Sequence, residues 1–135
     1  MLAAVKAGLP ADGSGTVLDL ATGPGEPANM IARKLPYAFV TASDLSEDMV
    51  AAAKKRMDGL PNVELVVADM AELPFEDGSF DVVTSCYGFM FPEDKKKACS
   101  EALRVLKPGG TLIATYWVPH TAIEPMTCSP CSYAC

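Results

Sequence analysis

The chain predicts an α/β fold built on a parallel sheet. Strand-like and helix-like patterns alternate along it, and glycine- and proline-bearing turns separate them. An aspartate also stands at or just past the end of each of the first three strand patterns.

Taken in order, residues 2–8 (LAAVKAG) read as a short helix closed by Gly8 and Pro10. Residues 16–20 are the first strand. Residues 28–35 are a helix, with Pro27 suited to its first turn and Pro36 beyond its end. Residues 37–42 are the second strand. Ser46 is an N-cap for a helix over 47–57, stopped by Asp58-Gly59-Leu60-Pro61. Residues 63–68 are the third strand, followed by a loop through Pro74, Asp77 and Gly78. Residues 80–85 are the fourth strand. A helix over 93–106 ends at Lys107-Pro108-Gly109-Gly110, and residues 111–117 are the fifth strand. No internal repeat is visible.

Composition narrows the function. A length of 135 residues suits one domain with a moderate core, here residues 1–118, and a tail over 119–135 rich in Pro, Ser and Thr. Half the residues are hydrophobic and the mean hydropathy is +0.19, as in soluble proteins. No apolar run reaches the ~20 residues of a membrane helix, so no membrane span is expected. The N-terminus is a poor signal peptide, and the expected location is the cytoplasm, with an organelle left open. A net charge of −6 argues against nucleic acid as a partner. Lys54-Lys55-Arg56 and Lys95-Lys96-Lys97 read as solvated helix faces.

The richest segment is VLDLATGPGEPA, residues 17–28. It reads as strand, glycine turn and helix start, an arrangement that brings main chain close to a nucleotide-like ligand. Asp19 at the strand end would repel a pyrophosphate but suits a ligand bearing an ammonium group. Asp19, Asp44 and Asp69 recur at equal intervals, so three acids would converge on one crevice at the carboxyl edge of the sheet. Asp44 matches the paired hydroxyls of a ribose. Asp69 is placed to accept from an adenine amino group, with Leu45 and Met70 packing on the ring. The plainer alternative is that each acid only caps the helix after it.

With VTASDLSEDMVAAAKKR (40–56), NVELVVADMAELPFEDGSFDVV (62–83) and EALRVLKPGGTLIATYW (101–117), these segments resemble the class I S-adenosylmethionine-dependent methyltransferases. The similarity is to the small-molecule type that includes the ubiquinone and menaquinone C-methyltransferases, and it covers nearly all of residues 16–118. It implies a Rossmann-like three-layer α/β/α fold whose five-stranded parallel sheet runs in the order 3-2-1-4-5, lacking the family's usual last two strands. It implies methyl transfer from S-adenosyl-L-methionine to a small-molecule acceptor, leaving S-adenosyl-L-homocysteine. Asp19 would lie near the methionine portion, and the turn at Ala21, Gly23 and Gly25 would let backbone approach methionine and ribose. Asp44 would bind the ribose, Leu45, Asp69 and Met70 the adenine, and Met49 would also contact the cofactor. Ser85 and Cys86 would line the pocket near the reactive methyl, and Tyr87 would point to the substrate side. Ala21 stands where the family commonly has glycine.

Residues Gly23 to Ala28 also satisfy the G-x-G-x-x-A pattern of a nicotinamide-dinucleotide site. Asp19, Glu26 in the turn and the missing amide of Pro27 oppose a pyrophosphate there. Methyl transfer needs alignment more than a base. Tyr87 and His120, the only histidine, are the candidate bases, and His120 reads equally as a surface residue. Cys86 is more simply a small core residue. Cys128, Cys131 and Cys135 make an incomplete metal-ligand set, so no metal is expected. Without further strands, the fifth strand would be an open apolar edge suited to a second copy or a partner. A truncated form, a minimal dimerising domain and a degenerate, catalytically weak relative all fit that pattern.

Overall fold

The structure, a computed structural model, describes residues 1–117. Its elements are α1 (Leu2–Gly8), β1 (Gly15–Leu20), α2 (Ala28–Lys34), β2 (Ala38–Asp44), α3 (Glu47–Arg56), β3 (Val63–Val67), β4 (Phe80–Cys86), a 3₁₀ turn (Gly88–Met90), α4 (Lys95–Arg104) and β5 (Leu106–Thr115). The strands pair in parallel in the order β3-β2-β1-β4-β5. This is the expected Rossmann-like architecture. The chain winds outward from β1 in one direction and from β4 in the other, so their carboxyl ends part at a crevice.

β1 runs through the middle of the sheet and is covered on both faces, which is why its last four residues, Val17 to Leu20, are all buried rather than alternating. Val17, Val40 and Val82 share one core with Val5 of α1, Ala28 and Ile31 of α2, and Ala53 of α3. Leu18, Leu20 and Val83 share the other with Ala98 and Ala102 of α4 and with Met70, Leu73 and Phe80. Three helices therefore cover one face, while α4 and the β3–β4 loop cover the other. Among the described residues no helix is long and apolar enough to cross a membrane.

One expectation fails at the last turn. Residues 107–110 do not separate helix from strand: α4 ends at Arg104, and β5 already pairs Leu106 with Phe80. The register then slips between Phe80 and Val82, so Lys107 to Gly110 form an irregular start to the strand, with Gly109 at φ 83°. The Lys107 ammonium reaches Asp81 Oδ2 at 2.8 Å, and the same oxygen accepts from the Thr16 amide at 2.8 Å. That carboxylate ties β1, β4 and β5 together at the opposite end from the crevice. The 3₁₀ turn is a further element that the sequence pattern did not reveal.

Arg104 holds the β3–β4 loop in place. Its guanidinium donates to Glu101 Oε1 at 2.7 Å, Asp77 Oδ1 at 2.7 Å, the Phe75 carbonyl at 2.8 Å and the Leu73 carbonyl at 3.0 Å. Glu101 Oε2 accepts from the Leu73 amide at 2.8 Å. The Arg104 guanidinium and then the Leu73 amide pull the Glu101 carboxyl down to about 2. A depressed acid contributes stability that is complete above its unfolded value and is lost as pH falls through the folded one. Glu101→Gln should therefore lower stability at neutral pH by about 1–2 kcal/mol, a figure discounted for solvent screening of the pair. Urea denaturation should also show a flatter stability profile between pH 4.5 and 2 than in the parent protein.

Candidate functional site

The cleft is assembled from turns at the carboxyl ends of the strands. After β1 the backbone turns sharply, with Ala21 at φ 54° and Gly23 at φ 55°. Asp44, the last residue of β2, holds that turn: its Oδ2 accepts from the Gly23 amide at 2.8 Å and its Oδ1 from the Ser46 amide at 3.0 Å. Ser46 then caps α3, its hydroxyl accepting from the Met49 amide at 3.4 Å. After β3, Asp69 Oδ1 accepts from the Ala71 amide at 2.8 Å, fixing the bend that carries Met70 into the core.

These turns enclose about 390 Å³. Ala21 and Gly23 form one wall, Asp44, Leu45 and Met49 the floor beyond β2, and Ala68, Asp69 and Met70 the far side. Gly88, Phe91 and Pro92 close the side next to β4. Among the described residues the lining holds two carboxylates and no lysine, arginine or histidine. Leu45 is 70 % exposed, an apolar side chain offered to the cleft rather than to the core. A shallow depression on α3, lined by Ala51, Lys54, Lys55 and Asp58, has no such convergence.

Asp19 lies beneath this wall and not in it. It is 0 % exposed, paired in register with Thr84 on β4, whose hydroxyl donates to its Oδ1 at 2.6 Å. Asp19 Oδ2 and Thr22 Oγ1 are buried without a hydrogen-bond partner among the described residues. Burial pushes the Asp19 carboxyl up to about 6; the Thr84 hydroxyl pulls it back, and Thr22 and the Ala28 amide do so less, from outside good hydrogen-bond geometry. Glu26 adds like-charge repulsion. An acid with no cation beside it makes this end of the cleft favourable to positive charge.

The structure therefore gathers Ala21, Gly23, Asp44, Leu45, Met49, Asp69 and Met70 around one cleft. Other expected residues have different places. Gly25 (φ 102°) is buried against α3, where a Cβ would meet the Met57 methyl at 3.2 Å and Ala53 Cα at 3.3 Å, so it lets α3 pack rather than admitting a ligand. Ser85 is buried, and its hydroxyl donates to the Leu20 carbonyl at 3.1 Å. Cys86 is half-buried beside β5, its sulfur accepting from the Thr115 hydroxyl at 3.3 Å. Tyr87 has φ 63° and its ring stacks on Trp117, so neither it nor Cys86 lines the cleft. His120, the tail 119–135 and its three cysteines lie outside the described residues. Ala68, Gly88, Phe91 and Pro92 were missed; only the glycine after the fourth strand signalled them. A Cβ on Gly88 would collide with Ser85 Oγ and come within 2.7 Å of Ala21 Cβ.

A family model for the methyltransferase domain matches residues 17–110. The chain belongs to that family. It is 42 % identical over 114 residues to the ubiquinone/menaquinone biosynthesis C-methyltransferase UbiE of Desulfotalea psychrophila, covering 84 % of this chain and 45 % of the relative. The YcgJ protein of Bacillus subtilis superposes with a TM-score of 0.71 at 30 % identity, covering 83 % of this chain and 48 % of that one. The [4+2]-cyclase SpnF gives 0.74 at 32 % identity, over 83 % and 42 % of the two chains. The chain spans about half the length of the curated relatives it matches.

Two substitutions separate ligand space from packing. At Gly23 no atom lies within 4 Å of an added Cβ, so Gly23→Ala should cost about 1 kcal/mol of backbone strain and chiefly obstruct the cleft. Gly25→Ala meets strain and contacts together and should cost about 2–3 kcal/mol, read as a larger fall in denaturation midpoint. Asp19 gives a third expectation. Its folded value is raised, so stability falls as pH rises from 3.8 to about 6. Asp19→Asn keeps an acceptor for Thr84 and should stabilise the empty protein by about 2 kcal/mol at pH 7.5, with little gain at pH 4.

Proposed function

We propose that this domain binds S-adenosyl-L-methionine in the cleft and transfers a methyl group to a small-molecule acceptor. The observation that carries the reading is the cleft's donor set: carboxylates from successive strand ends, apolar Leu45, Met49 and Met70, and, among the described residues, no cationic side chain. That set fits a cationic nucleoside and opposes a dinucleotide pyrophosphate. Each oxygen of Asp44 already accepts one amide and retains a lone pair, so the pair can receive a ribose diol. Asp69 keeps Oδ2 for an adenine amino group while Leu45, Met49 and Met70 cover the ring. Asp19 acts from beneath the turn, through a low-dielectric medium, as the charge that favours an ammonium group.

When bound, the sulfonium supplies an activated methyl group. The protein's share is then alignment and exclusion of water. Gly88 and Phe91 bound the acceptor side of the cleft, and Phe91, 77 % exposed, is free to lie over an occupant. We assign no essential base: Tyr87 is engaged in a ring stack, and acceptor acidity rather than a side chain sets the need for one. The quinone-type acceptors named for the relatives suggest a ring acceptor here. The Cys86 thiol, hydrogen-bonded to the Thr115 hydroxyl, fits work in the cytoplasm. β5, at the sheet edge of the described residues, is the surface we assign to a second copy or partner strand. Its apolar residues would be covered by that pairing.

Calorimetry with S-adenosylhomocysteine and NAD tests the cofactor assignment. S-adenosylhomocysteine should bind and NAD should not; NAD binding alone would overturn the reading. Asp44→Ala removes the ribose acceptor and releases the Gly23 amide. It should weaken S-adenosylhomocysteine at least roughly tenfold, about 1.4 kcal/mol. An unchanged dissociation constant would reject the role of Asp44.

A further inference from the structure

We propose that Tyr87 and Trp117 form the platform on which a flat conjugated ring of the acceptor lies; this rests on the methyl-transfer reading. The two rings meet with centroids 5.3 Å apart at 19°, an offset stack. Burial does not account for them. Trp117 is 73 % exposed and Tyr87 37 % exposed, so an aromatic face is left open at the carboxyl edge of the sheet.

The backbone is built to hold them there. Tyr87 takes a left-handed conformation, φ 63°, that non-glycine residues avoid, and its amide donates to the Thr115 carbonyl at 2.9 Å. That bond fixes Tyr87 to the end of β5 just before Trp117. The next residue, Gly88, is pressed against Ala21 and Ser85 so closely that no side chain fits. Gly88 also lines the cleft, so the aromatic platform begins where the cleft wall ends. A ligand in the cleft and a ring on the platform would be immediate neighbours, as transfer between them requires. Large apolar ring faces favour a flat conjugated acceptor over a saturated or charged one.

Trp117 is the only tryptophan, so its fluorescence reports the platform directly. The probe is 2,3-dimethyl-1,4-naphthoquinone, whose methylated ring positions resist addition by cysteine thiols such as Cys86. Emission should fall along a saturable curve, beyond the collisional quenching of N-acetyltryptophanamide. Decalin-1,4-diol, similar in size but not flat, should not compete. Tyr87→Gly suits the left-handed backbone, and it should weaken the probe roughly tenfold while leaving S-adenosylhomocysteine affinity within about twofold. Tyr87→Phe should restore probe binding. A linear quench equal to that of the free fluorophore, or an affinity indifferent to Tyr87→Gly, overturns the platform. So does emission that changes with protein concentration but not with the probe, which would assign the rings to a second copy. Probe binding without S-adenosylhomocysteine binding would sink the cofactor assignment and leave the platform standing. The reverse pattern would do the opposite.

Discussion

Asp44 makes one object of three separate turns. Its carboxylate receives the Gly23 amide on one oxygen and the Ser46 amide on the other, so the β1 turn, the end of β2 and the start of α3 share one anchor. Charge-assisted bonds of this kind are short and directional, and they fix backbone more firmly than apolar contact does. The anchor also consumes only part of the group's capacity. The same carboxylate that shapes the cleft remains an acceptor toward it, which is why a small domain can present a preformed site without a large supporting shell.

Asp19 is the opposite case. Its carboxylate is enclosed, bonded once and left with an unpartnered oxygen, an arrangement that opposes folding at neutral pH. Ala21 and Tyr87, the two non-glycine residues with positive φ among the described residues, sit just past the ends of β1 and β4 and meet through Gly88. Buried charge and backbone strain thus collect where the two windings of the sheet diverge. Such features persist when surrounding packing over-determines them, and here both cores press on the central strands from either side.

Much of this was legible because it rests on local chemistry. Alternating periods gave the strands and helices, Ser46 announced α3, and the recurrence of acids at strand ends placed Asp44 and Asp69 on one crevice. The failures are equally instructive. Gly23 and Gly25 look alike in the sequence because both need positive φ, yet one faces open space and the other faces α3. Only the approach of Ala53 and Met57 distinguishes them, and that is tertiary. Ser85 and Cys86 follow the strand period, which turns one inward and the other toward β5, so nearness to a strand end did not place either in the cleft. Lys107 to Gly110 carry strong turn signals, but salt-bridging of Lys107 to Asp81 draws them into an irregular strand instead.

The two sides of the edge differ in a way that bears on how one domain serves several chemistries. Around β1, β2 and β3 the cleft sets two carboxylates beside apolar Leu45, Met49 and Met70, and each carboxylate anchors its turn through backbone amides. Around β4 and β5 the edge beyond the cleft is aromatic and exposed, held by one backbone bond and a ring stack. A [4+2]-cyclase shares this fold at a TM-score of 0.74, so the architecture alone does not dictate the reaction. In the methyl-transfer reading, the anchored side binds what is common and the aromatic side selects what is particular. Substitutions at Asp44 and at Trp117 then act on different ligands, because the carboxylate recognises hydroxyls and the indole recognises a ring face. Gly88 is where the two sides touch. A side chain there would push them apart, and the reacting partners with them.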